Sequence, residues 1–429
     1  MMRKALPDLG IVICLLLLPL LLFAPVALGS KTLLPADTLY LFQPYRAAAE
    51  GLGVTYPQNH LVADLILENY AWKQLLVEAI QQRELPLWDP FIFAGHPFLA
   101  NGQHSGLYPL SLVFYVMPLA RAFGVFVWLQ LGLAGVFAYL FARVLGIGRL
   151  GGLIAGITFQ FSGFMVVSVV HPMIIAGASW LPFILAMVEL IIQQRPALGR
   201  APATVPWVLL GAIGLGCQML AGHAENTYFV LLVTGVYIIW RLATAGQGSP
   251  RSESGWRGWL AARQRASLWL IVMLALGLGL GAIQFVPLYE VVSNSFRGGE
   301  AAASLQQVRG WAYPWRRLIT FGIPNFFGNP AHHGYRDVFT LKWEPALTFA
   351  DGQYIDWGIK NYVEGGAYLG LLPLLLSALA ILDWLSARWS RRLRRSARPN
   401  DGAPESPNAR RTVPFFSLLA LFSLGCIFG

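Results

Sequence analysis

One acidic residue, Asp37, occupies a position from which it can act on a substrate held in a membrane. It lies eight residues beyond the first long hydrophobic stretch, in the segment KTLLPADTLYLFQPYR of residues 31–46. An ionised carboxylate can accept a proton from a hydroxyl group, and ionisable residues at a bilayer are usually functional. We therefore predict that Asp37 is the catalytic residue, as a general base or as a ligand of a metal ion.

Two further segments place histidine and glutamate at the ends of hydrophobic stretches. His171 follows one such stretch, and His223 and Glu225 lie in a short turn between two others. A histidine and a glutamate two residues apart can hold a metal ion, a phosphate or a sugar hydroxyl. The alternative is that these side chains only cap a turn. We predict that His171, His223 and Glu225 contribute to substrate binding.

Another candidate is Asp89, which stands between Trp88 and Pro90. We predict that this carboxylate also binds substrate, although an aspartate before a proline is a common start of a turn. Asp64 and Glu68 are two further carboxylates of the first loop that could take part in the site. They are four residues apart and share a helix face, so the alternative is that both are simply solvated. The sequence has no fixed set of metal ligands, and the participation of a divalent cation is left open.

Basic residues of a long loop near the C-terminal half are candidates for binding a lipid phosphate, since an arginine can bind two phosphate oxygens at once. The alternative is charge balance, because the same loop carries several aspartates and glutamates. The candidate cations are Arg297, Arg309, Arg316, Arg317, Arg336 and Lys360. The sequence favours none of them over the others.

The elements that must position these residues are membrane helices. Of the 429 residues, 56% are hydrophobic and only 12% are charged, about half the charged fraction of a soluble domain. Nine hydrophobic stretches have lengths near that required to cross a bilayer. They are residues 9–29, 122–141, 150–170, 174–192, 205–220, 227–242, 268–289, 367–385 and 413–429. The sequence therefore predicts an all-α polytopic membrane protein with about nine transmembrane helices.

The distribution of charge predicts the orientation of these helices. Most of the 31 lysines and arginines fall on one side if the N-terminus is cytoplasmic, as the positive-inside rule requires. Two large extracytoplasmic loops then follow, residues 30–105 and 291–366, and a basic cytoplasmic linker occupies residues 387–412. This topology requires residues 106–119 to be interfacial or re-entrant. The net charge of +10 is explained by orientation in the plasma (inner) membrane, so we predict no nucleic acid partner.

The first loop contains a pattern typical of an amphipathic helix at residues 60–80. Its apolar side chains recur at helical spacing, and such a helix either lies on the membrane surface or packs against the spans. The apolar positions are Leu61, Leu65, Trp72, Leu75, Leu76 and Ile80. At the other end of the chain, residue 429 falls within an apolar run, from which we expect a single transmembrane domain that is incomplete at its C-terminus.

Several segments resemble the bacterial YfhO-like membrane protein family. The first is LPLWDPFIFAGHPFLANGQHSGLYP at residues 85–109. Shorter segments are ASWLP (178–182), AGHAENTY (221–228), FGIPNFFG (321–328) and YVEGGAYLGLLP (362–373). The resemblance implies a GT-C-type helical bundle that takes a sugar from a polyprenyl-phosphate carrier and uses an aspartate of the first outer loop, here Asp37. Where relatives often have His-Pro-Gln, this chain has His223, Ala224 and Glu225.

Together these features predict a membrane glycosyltransferase that moves a sugar from a polyprenyl-phosphate donor to a cell-envelope glycopolymer on the outer face of the membrane. Its partners would be membrane lipid, the lipid-linked sugar and the acceptor polymer. Two alternatives are a transporter or flippase of lipid-linked sugars and a scaffold for envelope assembly. The absence of P-loop, Rossmann, HExxH and GxSxG motifs from the sequence gives no support to nucleotide, zincin or serine-hydrolase chemistry.

Overall fold

The computed structural model describes residues 2–54, 63–194, 204–244, 255–295, 304–310, 312–327, 334–336, 341–345, 363, 365–393 and 409–428. These parts of the chain are predominantly helical, which confirms the predicted all-α class. The α-helices are α1 (Met2–Leu17), α2 (Leu20–Ala27), α3 (Tyr70–Gln81), α4 (Phe98–Asn101), α5 (Leu112–Val116), α6 (Leu119–Val144), α7 (Arg149–Gln160), α8 (Gly163–Val167), α9 (Pro172–Ser179), α10 (Leu181–Ile192), α11 (Thr204–Leu220), α12 (Ala224–Thr244), α13 (Gly255–Ser293), α14 (Leu305–Gly310), α15 (Leu371–Leu393) and α16 (Ala409–Phe428). Two antiparallel hairpins pair β1 (Trp88–Asp89) with β2 (His96–Pro97) and β3 (Gly334–Arg336) with β4 (Trp343–Pro345).

Four helical segments among the described residues are long and apolar enough to cross a membrane: Leu119–Val144, Pro172–Ile192, Ala224–Thr244 and Leu260–Ser293. This number rises to six if each of two bent helix pairs forms one span. Three other predicted spans fall on shorter apolar helices, Thr204–Leu220, Leu371–Ser386 and Thr412–Phe428. The chain therefore has the helices of a membrane protein, and the count of nine spans stays a prediction.

Two of the predicted spans are bent. Leu6–Leu17 and Leu20–Ala27 meet at 54°, next to Pro19, whose ring and missing N–H interrupt helical hydrogen bonding. The second pair, Arg149–Gln160 and Gly163–Val170, meets at 41°. Here Ser162 accepts a hydrogen bond from the Met165 backbone N–H at 3.4 Å, which starts a new helix instead of continuing the old one.

Helix α6 is the centre of the bundle, since α1, α2, α7, α9 and α10 all pack against it. Where α2 crosses α6, a Cβ atom at Gly124 would collide with the Val26 backbone, so only glycine permits this approach. A second pair, α11 and α13, packs side by side behind α10.

One end of the bundle is held together by ion pairs, and we call it the arginine end. Asp8 of α1 contacts Arg143 of α6 at 3.2 Å and Arg149 of α7 at 2.8 Å. Glu189 of α10 and Arg241 of α12 form a buried pair at 2.5 Å. Val144 of α6 packs with Leu190 of α10 and Tyr237 of α12 in one core cluster, so both sets of ion pairs lie at the same end of the bundle.

The opposite end, which we call the histidine end, is where residues 98–111 of the first loop meet the turn before α12. The Ser105 hydroxyl donates to the Ala221 carbonyl at 2.7 Å, and Gln284 of α13 donates to the Leu99 carbonyl at 2.8 Å. Residues 106–119, which the predicted topology requires not to span, contain only a 3₁₀ turn at Pro109–Ser111 and the five-residue α5 before α6 begins at Leu119.

The predicted amphipathic helix of the first loop is present as a π-helical turn at Leu65–Asn69 followed by α3. It packs against α5 and α6, with Leu65, Trp72 and Leu76 buried and Ile80 exposed. The buried side of this helix therefore packs against neighbouring helices, while Leu61 lies outside the described residues. In the predicted basic linker, α15 continues to Leu393 and α16 begins at Ala409, so both ends of the linker are helical.

Candidate functional site

Asp37 lies on a 3₁₀ helix, Ala36–Leu41, that directly follows Pro35. The Asp37 side chain is exposed, whereas the neighbouring Thr38 is fully buried. This short helix packs against the Leu65–Asn69 turn. The backbone is thereby fixed while the carboxylate faces outward, and no described residue forms an ion pair with it. The position suits a group that must reach an incoming hydroxyl.

The structure brings the predicted histidine pair together. The Asn226 side chain donates to the Ile174 carbonyl at 2.9 Å, which joins the first turn of α12 to the first turn of α9. The Asn226 backbone N–H donates to Nδ1 of His223 at 3.2 Å. His171 precedes α9 directly, and His223 and Glu225 flank the start of α12. The turn that carries His171 and the turn that carries His223 and Glu225 therefore lie side by side.

The electrostatics of this turn favour an uncharged imidazole at His223. Burial is the largest influence and lowers the pKa of His223; the Glu225 carboxylate raises that pKa, and the nearby His171 lowers it. The net direction is downward, so His223 is neutral at pH 7, and a neutral imidazole can accept a hydrogen bond. Glu225 is exposed. Within the described part of the chain, no hydrogen bond or ion pair connects this turn to Asp37.

Asp89 has a local role. Its side chain is 5% exposed, and Oδ1 accepts a hydrogen bond from the Phe91 backbone N–H at 2.8 Å. Asp89 also stands opposite His96 in the β1–β2 hairpin. These contacts are typical of a turn, which was the alternative interpretation of the Asp-Pro sequence. No described contact joins Asp89 to the other predicted site residues.

A cavity of about 390 Å³ lies between the α7–α8 bend and two pieces of the second loop. It is lined on one side by bundle residues and on the other by loop residues of the FGIPNFFG and YVEGGAYLGLLP segments. The lining residues are Leu22, Phe161, Gly163, Val166, Val167, Arg317, Thr320, Pro324, Asn325, Gly365, Gly366, Ala367 and Tyr368. The two sides are joined by the Gly163 N–H, which donates to the Tyr368 carbonyl at 2.6 Å.

Arg317 is the cation of this cavity. Its side chain is 2% exposed, and its guanidinium lies 5.1 Å from the centre of the Tyr313 ring. The Thr320 hydroxyl donates to the Arg317 carbonyl at 2.6 Å, which fixes the turn that carries it. Of the six cations considered from the sequence, Arg297 and Lys360 lie outside the described residues, and Arg309 is exposed. The side chains of Arg316 and Arg336 are also outside the described part of the structure, so the packing of the loop distinguishes Arg317 from Arg309.

Sequence reasoning missed a buried lysine in the first loop. Lys73 donates to the His104 carbonyl at 2.5 Å and lies 4.3 Å from the centre of the Phe114 ring. Burial lowers the pKa of Lys73 to about 7. Burial is also the main cause of a pKa of about 3 at His104, with a smaller effect of Lys73 in the same direction. Lys73 thus joins α3 to the segment before α5 and positions the loop.

A signal for Lys73 was present in the sequence. It stands beside Trp72 and three residues before Leu76, within the apolar side of the predicted helix. A charged side chain on the apolar face of a helix is buried only when a hydrogen-bond acceptor or an opposite charge contacts it. For Lys73 this acceptor is the His104 carbonyl, which no spacing rule would indicate.

The described residues contain no group of three or more histidine, cysteine, aspartate or glutamate side chains that could hold a metal ion. Cys14, Cys217 and Cys426 are free thiols. Comparisons with protein-family models, with curated proteins and with solved structures gave no match to this chain. The likeness to the YfhO-like family therefore rests on the sequence segments alone.

Proposed function

We propose that the protein is a membrane glycosyltransferase that moves a sugar from a polyprenyl-phosphate donor to a hydroxyl of a cell-envelope glycopolymer. The reaction would take place on the outer face of the plasma (inner) membrane, with the N-terminus in the cytoplasm and the histidine end facing outward. The observation that carries this proposal is the cavity that contains Arg317. It combines apolar walls with one buried cation, and a polyprenyl phosphate combines an apolar chain with one anionic group.

The apolar walls and the buried cation of this cavity each have a role in cleavage of the donor. When the bond between the anomeric carbon and the phosphate oxygen breaks, the phosphate leaves with the electron pair and gains negative charge. A buried guanidinium stabilises that charge more strongly than one exposed to water. Arg317 is the residue that would supply it. The apolar walls include Leu22, Val166 and Val167, which suit the first isoprene units of the carrier.

The second half of the reaction needs a base for the acceptor hydroxyl. The acceptor oxygen forms the new bond to the anomeric carbon, and its proton passes to a carboxylate. Asp37 is exposed on a backbone that its neighbours hold in place, and it matches the family's catalytic position in the resemblance. His171, His223 and Glu225 would hold acceptor or sugar hydroxyls.

One observation favours a second candidate, a transporter or flippase of lipid-linked sugars. Transporters commonly bind their cargo where membrane helices are broken. Both bent pairs contribute to the cavity, since Leu22 belongs to the first and Phe161 and Gly163 border the bend of the second. Because these bends border the cavity, they favour the transporter as the second candidate.

Reconstitution in proteoliposomes separates the two functions. The donor would be a polyprenyl phosphate that carries a radiolabelled hexose or N-acetylhexosamine, and the acceptor would be glycopolymer extracted from cell envelopes. A glycosyltransferase moves the label from lipid into polymer. A flippase leaves the label on the lipid but changes the membrane face on which it is accessible. If the label neither enters the polymer nor changes membrane face with any donor offered, the proposed function is rejected. The envelope-assembly scaffold is then the favoured alternative.

A matched pair of variants tests the role of the cavity in the same assay. We expect Arg317→Gln to raise the KM for the donor at least about tenfold, because a charge-assisted phosphate contact is lost. Arg309→Gln removes an equal charge from an exposed site nearby and should leave the KM unchanged. Melting temperatures of both variants in detergent show whether a loss of activity is a loss of folding.

A further inference from the structure

The β1–β2 hairpin of the first loop presents an apolar tip. Phe91 is 76% exposed, Ile92 42% and Phe93 91%. The segment that precedes the tip adds Leu85, Leu87 and Trp88, each more than half exposed. Contiguous large apolar side chains on a protein surface indicate an interaction site. None of these residues belongs to the proposed catalytic machinery.

The backbone holds these side chains outward. Phe93 and Ala94 have φ angles of 53° and 59°, in the left-handed region that residues with a Cβ seldom adopt, and Gly95 follows at 101°. The Trp88 ring lies so close to Gly95 that a Cβ there would collide with it. Together with the hydrogen bond from Phe91 to Asp89, these contacts fix the tip. Residues with a Cβ adopt such a conformation only where the surrounding structure holds them in it.

The base of the hairpin is bonded to α13, which is one of the candidate membrane helices. At its base, the Phe98 N–H donates to the Leu87 carbonyl at 2.9 Å. The next residue, Leu99, accepts a hydrogen bond from Gln284 of α13 at 2.8 Å. Gln284 lies nine residues before α13 ends at Ser293, which is roughly 13 Å along the helix axis. The base of the hairpin is therefore well within the length of this helix.

The surface of α13 at that depth is apolar. Ile283 and Val286, which flank Gln284, are 58% and 64% exposed, and both belong to the apolar span Leu260–Ser293. Exposed aliphatic side chains on a helix of this composition face lipid. Because the hairpin base is bonded to this apolar membrane helix, lipid is the occupant that the position of the tip favours.

We propose that the hairpin tip, Phe91, Ile92 and Phe93, inserts into the interfacial region of the outer leaflet and anchors the first loop to the bilayer. Aromatic side chains are enriched at this depth of a membrane, and apolar tips bind there in proportion to the area they bury. This interaction does not depend on the proposed enzymatic function. It would hold the loop that carries Asp37 and α3 at a constant height above the membrane.

Depth-dependent fluorescence quenching tests this anchor on the full chain. Cys14, Cys217 and Cys426 would be replaced by serine or alanine, and a single cysteine would be introduced as Phe93→Cys or, independently, as Phe91→Cys. The control is Gln81→Cys, an exposed position at the end of α3 in the same loop. Each cysteine carries the same environment-sensitive fluorophore, and each protein is reconstituted in nanodiscs with or without brominated phosphatidylcholine.

We expect brominated lipid to quench the labels at positions 93 and 91 and aqueous iodide to leave them largely unquenched. The label at position 81 should behave in the opposite way. Iodide quenching of the tip labels as strong as that of the control would overturn the proposal. So would protection of the tip labels from both quenchers, since that result indicates a protein contact instead of lipid. Two tip positions are used so that the result does not depend on one variant.

Discussion

The carboxylates at the two ends of the helical bundle differ in burial and in ion pairing. At the arginine end, Asp8 lies between Arg143 and Arg149, and Glu189 is fully buried against Arg241. At the histidine end, Asp37 and Glu225 are exposed, and neither forms an ion pair with another described residue.

This difference separates charges that hold the fold together from charges that are available for chemistry. A buried carboxylate is tolerated only with its partner, because an isolated charge in the bundle is strongly unfavourable. An exposed carboxylate contributes little to folding. We therefore infer that the arginine end is where substitutions damage stability and the histidine end is where they damage activity.

The largest effect on stability is expected at the buried pair. Glu189→Ala leaves the Arg241 guanidinium without the two carboxylate oxygens that it now contacts at 2.5 and 2.7 Å. Removing one partner of such a pair typically costs about 3–5 kcal/mol. Thermal unfolding in detergent measures this loss against wild type. A melting temperature as high as that of an Asp37→Asn variant would remove the distinction between the two ends.

A second effect should appear as a dependence of stability on pH. Burial lowers the pKa of Lys73 from 10.5 to about 7, so between these values the unfolded chain binds a proton that the folded chain does not. Stability must then rise as pH increases from about 7 towards 10. We expect Lys73→Met to show a smaller rise, measured by unfolding at a series of pH values. An unchanged rise would mean that another group is responsible.

His104 gives an independent effect at lower pH. Its folded pKa of about 3 lies below its ordinary value of 6.5, so stability should fall as pH decreases from about 6.5 towards 3. His104→Asn should reduce this acid sensitivity. His171→Asn should leave the acid sensitivity of stability unchanged if this sensitivity comes from the buried contact of His104 and not from histidine residues in general.

The smallest effect on stability is expected at Asp8, because its side chain remains 31% exposed. Asp8→Asn should lower the melting temperature by less than Glu189→Ala does. Since salt screens exposed charges, the difference between Asp8→Asn and wild type should shrink at high ionic strength, whereas that of Glu189→Ala should persist. Equal salt dependence of the two variants would contradict the burial argument.

The sequence predicted helices better than it predicted their breaks. The nine hydrophobic stretches all correspond to helical segments, because apolar composition over such a length is a strong signal. The first bend had a local cause in Pro19, while the second depends on Ser162 and on the packing of Tyr368 against Gly163. A contact between residues that lie so far apart in the chain leaves no trace in local periodicity.

The candidate site shows the same limit. The roles of Asp37, His171, His223 and Glu225 stay predictions from the sequence, since the structure shows where these residues lie and not what they bind. Arg317 could not be distinguished from its neighbours, because its burial comes from the loop folding over the α7–α8 bend. Asp89 was predicted to bind substrate with a turn as the alternative, and the hydrogen bond that it accepts from the Phe91 N–H is typical of a turn.

The most direct test of the account is sugar transfer by Asp37→Asn in proteoliposomes, with Asp64→Asn as the matched control. Asparagine keeps the size of the side chain and removes its charge. We predict a melting temperature close to that of wild type and a transfer rate lower by at least about 100-fold, the usual contribution of a positioned base. Asp64→Asn should retain transfer. Transfer by Asp37→Asn at a near-normal rate would contradict the catalytic role and favour the flippase or the scaffold.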